Sequence, residues 1–428
     1  MIKKLNHFVR FNLNQRLNAD RINKLQNYKL QKVIRHAYDS TQFYRKWMDD
    51  AKVMPDEIRC IDDLHRIPPI SKSQIQQNDT SFISNLYHAD NCLTRTTSGS
   101  SGKMLRVLWD QDSFWSRVAL FYRTFSMIGY NPFKKVVYFL PVAEDTGFTF
   151  GLFRQMGLSL SRPMDEVREL LIKLKPHILS IYPSYAIDLG RHISDRDIDL
   201  MGIEAISLNS EMILDHDAAL IEKKYKCPVY QEYSSVEIGM IASMCKEKGM
   251  HLFNDNVVVE ILDSKGDPAA PGEVGEVIVT ALNSFAMPFI RYRLGDYTRM
   301  LGKQCSCGSP FPLIGHIEGR KDDSFRLSDG HQIPAWKIYE IVERPLENYG
   351  MDKLVLCDFY LVQKEYDYAE FYYVKGPDFD QNYLTELQQK GHAIFGRGFT
   401  LRITELPTID RIKTTKRKYI HCDLPNAS

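Results

Sequence analysis

Between two ordinary segments the chain carries Thr96 and then Thr97-Ser98-Gly99-Ser100-Ser101-Gly102-Lys103, a run without one bulky side chain. Two glycines let the backbone aim its N–H groups at a single point, the hydroxyls add short donors, and Lys103 adds a positive charge. Together these suit a polyphosphate. The spacing is not that of the GxxxxGK[ST] loop, because only Ser100 and Ser101 separate Gly99 from Gly102 and Met104 follows Lys103. A Ser/Gly-rich surface turn is the plain alternative, and the segments downstream decide between the two.

Three of those segments carry matching chemistry. In Glu232-Tyr233-Ser234-Ser235-Val236-Glu237-Ile238-Gly239, directly after an expected strand, Tyr233 offers a ring to a nucleobase and Glu237 a carboxylate to a magnesium ion among phosphates. A strand-end turn with a solvated glutamate is the alternative. In Ile290-Arg291-Tyr292-Arg293-Leu294-Gly295-Asp296, an aspartate after a glycine at a strand end presents two oxygens whose spacing matches vicinal hydroxyls, as on a ribose. Near the C-terminus, Arg411, Lys413, Lys416, Arg417 and Lys418 form a basic run that by itself reads as a solvated tail.

A fourth constellation points to a metal. Cys245 and His251 flank Lys246 to Met250, and Cys305-Ser306-Cys307-Gly308 follows after an expected hairpin. A CxCG turn presents two thiolates to one ion, and the earlier Cys and His complete a tetrahedral set, which predicts structural zinc pinning the hairpin to the sheet end. His316 is a substitute ligand on this reading, and buried reduced cysteines beside a surface histidine are the alternative. Cys60, Cys92, Cys227, Cys357 and Cys422 are scattered and read as small core residues.

The elements that must position these groups follow from periodicity. One amphipathic helix is expected from about Asp20 to Trp47. From Leu105 onward, apolar runs alternate with amphipathic helices: strand Leu105–Trp109, helix Ser113–Ile128, strand Val136–Leu140, helix Met164–Leu174, strand His177–Tyr182, helix Ser184–His192, strand Ile203–Leu208, helix Leu214–Tyr225 and strand Pro228–Gln231. That alternation predicts an α/β fold with parallel sheet flanked by helices and ligands at the C-terminal strand ends. Val257–Leu262 and Gly275–Thr280 then read as a hairpin in a smaller antiparallel subdomain. After a hinge-like Gly319-Arg320-Lys321-Asp322-Asp323, the chain forms a small α+β unit: helix Ala335–Tyr349, strands Leu354–Val362 and Tyr368–Val374, helix Gln381–Phe395 and strand Thr400–Glu405. The expected domains are 1–320 and 321–428.

Composition narrows the class. The chain has 428 residues, 44% of them hydrophobic and 25% charged, with a formal charge of +1, so nothing suggests general affinity for nucleic acid or anionic membrane. No apolar run approaches the roughly 20 residues of a membrane span. The basic start Met1 to Arg10 lacks the continuous apolar stretch of a signal peptide, so a cytoplasmic location is the expectation.

In this order, the pieces resemble the adenylate-forming ligases, most closely the phenylacetate–coenzyme A ligase-like branch with its capsule-biosynthesis and coenzyme F390 synthetase relatives. The resemblance covers nearly the whole chain and implies the roles. Thr97, Ser98, Gly99, Ser100, Ser101, Gly102 and Lys103 match the loop that grips the β- and γ-phosphates of ATP. Tyr233, Ser234 and Ser235 match the segment stacking on adenine, with Glu237 holding Mg2+. Asp296, with Arg320 beside it, matches the ribose-binding residue, and Asp322 falls at the hinge of a mobile C-terminal lid. Lys416 matches the catalytic lysine. Ser100 and Ser101 replace Thr-Thr, Ser234 replaces a glycine, and Thr415 stands where a glycine commonly precedes the lysine, which leaves Lys413 and Lys418 as rivals to Lys416. Zinc at the cysteine–histidine set also occurs in some members of the branch.

The implied activity is capture of a carboxylic acid by ATP as an acyl-adenylate, with release of pyrophosphate and transfer to coenzyme A. Transfer to an amine, transfer of AMP, or binding without turnover are the alternatives. The acyl pocket is expected around Tyr182-Pro183-Ser184 and Leu208-Asn209-Ser210-Glu211, with Phe148, Phe150 and Tyr182 as aromatic candidates to flank a ring and a core role for them as the alternative. Many relatives pair as dimers, so a homodimer is the oligomeric expectation the resemblance carries.

Overall fold

The computed structural model describes residues 2–97, 104–142, 144–146, 154–350, 353–409 and 416–424. Of the candidates above, Ser98, Gly99, Ser100, Ser101, Gly102, Lys103, Phe148, Phe150, Lys413 and Thr415 lie outside the described residues. The chain forms two compact units, Met1–Gly129 with Glu232–His316, and Tyr130–Gln231 with Ile317–Ser428. This grouping differs from the 1–320 and 321–428 division read from the sequence. The reason is packing: Met212 and Leu214, which follow a strand of the parallel sheet, join the apolar cluster of Phe325, Ile338, Leu361 and Ile420.

In the first unit, the single N-terminal helix expected from the sequence is two, Ala19–Ser40 and Gln42–Asp50. Thr41 between them is extended, and its hydroxyl accepts the Tyr44 N–H at 3.1 Å, capping the second helix. The first of the two buries Ile22, Leu30, Val33, Ile34 and Ala37 at helical spacing. Its inward polar residues find partners too, Gln26 on the Val257 carbonyl at 2.8 Å and Lys29 on the Asp255 carbonyl at 2.5 Å. Burial pushes the Lys29 ammonium down to about 7, although Asp255 opposes the shift.

Helix Gln111–Met127, capped by the Asp110 carboxylate, packs against strand Gly239–Met244 and carries the fully buried Arg123. Its guanidinium forms two parallel bonds to Asp255, at 2.8 and 2.7 Å, and a third to the Phe11 carbonyl at 2.5 Å. The rings of Phe11, Phe253 and Phe311 surround it at 5.1, 4.9 and 5.1 Å. Burial alone would raise the Asp255 carboxyl, but Arg123 together with Lys29 and Asn14 outweighs it and holds the group below its usual range. The strands here are antiparallel: Val257–Leu262 with Gly275–Ala281 as expected, then Tyr292–Thr298, and separately Gly239–Met244 with Met250–Leu252.

The second unit holds the parallel sheet, in the order Gln155–Ser159, Val136–Leu140, Ile178–Ile181, Ala205–Leu208 and the first residues of Val229–Ser235. All four residues of Ile178–Ile181 and of Ala205–Leu208 are buried, because helices Met164–Leu174, Pro183–His192 and Asp215–Tyr225 pack around this sheet. The C-terminal part pairs Leu356–Glu365 with Tyr368–Lys375 antiparallel, flanked by parallel Thr400–Glu405 and Ile420–Cys422. Helices Ala335–Glu347 and Asn382–Phe395 cover its apolar side.

Candidate active site and metal centre

In the first unit, strands Leu93–Thr96 and Arg106–Trp109, which flank the Ser/Gly run in sequence, pair antiparallel. Thr97, beside that run, is buried and bonded to Leu105. Its N–H donates to the Leu105 carbonyl at 3.0 Å, and its hydroxyl accepts the Leu105 N–H at 3.0 Å.

The segment read as a strand followed by a turn is a longer strand, Val229–Ser235, which pairs from Glu232 onward with Gly239–Met244. Tyr233, Ser234 and Ser235 therefore lie on the strand and Glu237 in the connection. Ser235 shapes that connection by accepting the Ile238 N–H at 3.1 Å. Two residues the sequence reading did not single out hold it from the other side. The Trp109 indole donates to the Val236 carbonyl at 3.1 Å, and Arg117 donates to the Glu237 carbonyl at 2.7 Å. The Arg117 guanidinium also lies 4.3 Å over the Trp109 ring. Gly239 is required here, since its φ is +88° and a Cβ would stand 2.8 Å from the Arg117 guanidinium. The available signal for Arg117 was its place four residues after Ser113 and three before Leu120, both on the buried face of the helix.

The Ile290–Asp296 stretch is braced by Arg291, whose guanidinium grips Glu260 at 3.0 and 2.8 Å and also bonds the Ile67 carbonyl. Along the strand, Arg293 pairs with Ile278 and Tyr297 with Glu276, so Leu294, Gly295 and Asp296 stand opposite Val277 alone. This bulge, with Gly295 at φ +80°, re-aims the Asp296 carboxylate. The Tyr233 hydroxyl donates to Asp296 Oδ2 at 2.7 Å, and the Tyr292 hydroxyl donates to Glu237 Oε1 at 3.2 Å. All four residues are buried. The base-, metal- and diol-directed candidates of the first unit are thus tied into two buried pairs, each bridging the Glu232–Gly239 and Ile290–Asp296 segments through a tyrosine hydroxyl.

In the second unit, Arg320 and Asp322 are exposed, on strand Gly319–Arg320 and the following turn Lys321–Asp323. Lys416 is exposed as well, while its rival Lys418 is committed to Asp323 at 3.2 Å. The two segments expected to line an acyl pocket meet. Glu211 accepts the Ser184 N–H at 3.0 Å and the Ser184 hydroxyl at 2.9 Å, and Asn209 donates to the Ser180 hydroxyl at 2.9 Å.

Cys245, His251, Cys305 and Cys307 come together with their ligand atoms all within 4.8 Å of one another. Cys245 Sγ lies 3.6 Å from Cys305 Sγ, and Cys307 Sγ lies 3.3 Å from His251 Nε2. Zinc bonds of about 2.3 Å to sulfur and 2.0 Å to nitrogen put tetrahedral S···S and S···N edges at about 3.8 and 3.5 Å, so the four donors fit one ion. His251 Nδ1 bonds the Phe311 carbonyl at 2.9 Å, which leaves Nε2 as the ligating nitrogen. His316 is not a member of this group.

The fold is that of the adenylate-forming ligases. The structure superposes with a TM-score of 0.77, at 18% identity, on 2-hydroxyisobutyryl-CoA ligase in its postadenylation state, covering 95% of this chain and 91% of that one. In sequence the chain is similar to phenylacetate–coenzyme A ligases. It is 25% identical over 328 residues to that of Thermus thermophilus, 72% of each chain, and 25% identical over 431 residues to that of Aromatoleum evansii, 95% of each. No family model matches the chain. The resemblance read from the motifs is borne out by these relatives. Among the described residues no helix is long and apolar enough to cross a membrane.

Proposed function

We propose that this protein is an ATP-dependent, AMP-forming acid–thiol ligase that activates a carboxylic acid as its acyl-adenylate and passes the acyl group to coenzyme A. The observation that carries the reading is the pair of tyrosine bonds, Tyr233 to Asp296 and Tyr292 to Glu237, which unite motifs far apart in the chain. A carboxylate is inert toward thiols because its leaving group would be oxide. Attack of a carboxylate oxygen on the α-phosphorus makes a mixed anhydride whose leaving group is AMP, and expels pyrophosphate.

In this reading Thr97, Ser98, Gly99, Ser100, Ser101, Gly102 and Lys103 hold the β- and γ-phosphates, the Tyr233 ring with Ser234 and Ser235 faces adenine, and Asp296 with Arg320 binds the ribose hydroxyls. Glu237 would hold Mg2+, which supplies positive charge against the repulsion of two meeting anions. Lys416 adds a second positive charge between the substrate carboxylate and the α-phosphate and moves no proton. Asp322 serves as the hinge of a lid comprising residues 321–428. Zinc at Cys245, His251, Cys305 and Cys307 is structural. A cytoplasmic location and a homodimer complete the proposal.

The test is acid-dependent pyrophosphate release across a panel of carboxylic acids, with coenzyme A or amines then added to identify the acceptor. Lys416→Ala should lose adenylate formation while ATP binding persists. Unchanged release in that variant would move the role to Lys413 or Lys418, and no release by the wild type with any acid would refute the reading.

A further inference from the structure

Lys416 is exposed, four residues before strand Ile420–Cys422, so something must fix the backbone from which its side chain extends. Its neighbour Arg417 is tied down by an element distant in sequence. The Arg417 backbone N–H donates to Glu211 Oε1 at 2.7 Å. That carboxylate is already aimed, since Ser184, in the first turn of helix Pro183–His192, gives it a backbone N–H at 3.0 Å and a hydroxyl at 2.9 Å. Two further carboxylates grip the same stretch: Asp188, one turn along that helix, lies 3.5 Å from the Arg417 guanidinium, and Asp217 accepts the Tyr419 hydroxyl at 2.7 Å.

The arrangement is directional. Two of the donors to Glu211 come from Ser184 and are local to the parallel-sheet end, whereas the third arrives only with the tail. Burial pushes the Glu211 carboxyl up, and each donor, Arg417 included, works to bring it back down. A carboxylate partly withdrawn from water in this way gains more from a third donor than a solvated one would, because water competes less for its lone pairs.

We propose that Glu211 is the positioning residue for Lys416: held by Ser184, it captures the Arg417 N–H and so sets the backbone next to the lysine for adenylate formation. The acyl-pocket assignment of this carboxylate is thereby replaced by a docking role. The inference rests on the reading of Lys416 as the lysine of adenylate formation.

The experiment compares wild type, Glu211→Ala, Glu211→Gln and Ser184→Ala in two assays, pyrophosphate release and the rate at which trypsin cuts the Lys416–Arg417 bond, followed by mass spectrometry. A hydrogen bond to a charged group predicts a fall in kcat of roughly ten- to hundredfold for Glu211→Ala, with the KM for ATP unchanged. Cutting at Lys416 should accelerate in the same variant. Glu211→Gln keeps a carbonyl oxygen for Arg417 and the Ser184 hydroxyl, and should recover most of both. Ser184→Ala, which leaves the carboxylate in place, should shift both readouts in the same direction by less, and it decides the matter if Glu211→Ala does not fold. Wild-type kcat in Glu211→Ala overturns the proposal. A lost kcat with unchanged tryptic cutting overturns it too, because the carboxylate would then act on the acyl group. If the wild type releases no pyrophosphate with any acid, the ligase reading fails, and the tryptic comparison still decides whether Glu211 docks the tail.

Discussion

Tyr233→Phe removes one oxygen atom and leaves the ring, which separates the hydroxyl's bond to Asp296 from the adenine-facing role proposed for the ring. The hydroxyl donates to Asp296 Oδ2 at 2.7 Å, and both side chains are less than a tenth exposed. A hydrogen bond to a charged acceptor contributes about 1.5–3 kcal/mol. Since about 1.4 kcal/mol corresponds to a factor of ten, the loss is capped at roughly ten- to a hundredfold. Not all of it can appear in nucleotide binding, because part is lost from the unliganded protein as well. The expected result is a rise in the KM for ATP toward the lower end, roughly fivefold to tenfold, as the Asp296 carboxylate loses its fixed orientation. kcat should change little, the reacting atoms being elsewhere. Tyr233→Leu, which also removes the ring, should raise the KM further through lost stacking. Initial rates of pyrophosphate release against ATP concentration measure both. An unchanged KM in Tyr233→Phe, in protein with wild-type folding, would refute the argument that the tyrosine hydroxyl orients the carboxylate proposed to bind the ribose.

Other parts of the structure make separate demands. Purified protein should contain one zinc per chain by elemental analysis, and Cys305→Ser should bring that toward zero and lower Tm. Wild-type protein devoid of zinc, with a Tm indifferent to a strong chelator, would count against the centre. Arg123→Met leaves Asp255 buried without its main partner and should cost about 3–5 kcal/mol, read from denaturant unfolding. Adding Asp255→Asn should recover part of that loss, and a single-variant cost below about 1 kcal/mol would show the pair to be better hydrated than its burial indicates.

How much could be read beforehand depended on whether the signal was local. Helix Met164–Leu174 was legible because its apolar residues repeat at helical spacing and a proline precedes it. The strand Gln155–Ser159 was not. It is short, it contains Gly157, and its place at the edge of the sheet is set by pairing with Val136–Leu140. The break at Thr41 was missed because the apolar periodicity continues across it, while the cap that divides the helices is a single hydroxyl. Trp109, Arg117 and Tyr292 escaped for another reason. Each acts on a residue more than fifty positions away, and an arginine or tyrosine inside an amphipathic element has the composition of an ordinary packing residue.

The sequence by itself determined the kinds of group available and their order: a hydroxyl- and glycine-rich run, a tyrosine with a glutamate four residues on, an aspartate after a glycine, a terminal lysine, and three cysteines with a histidine. Those are covalent facts, and the chemistry they permit follows from side-chain type. Only the tertiary structure decided that Tyr233 meets Asp296 across 63 residues, that Arg117 holds the backbone of Glu237 across 120, and that Glu211 meets Arg417 across 206. It also decided that Met212 and Leu214 join the apolar cluster of the C-terminal elements. Such pairings depend on which apolar faces bury against one another, and that free energy is a sum over the whole core that no single stretch of chain carries.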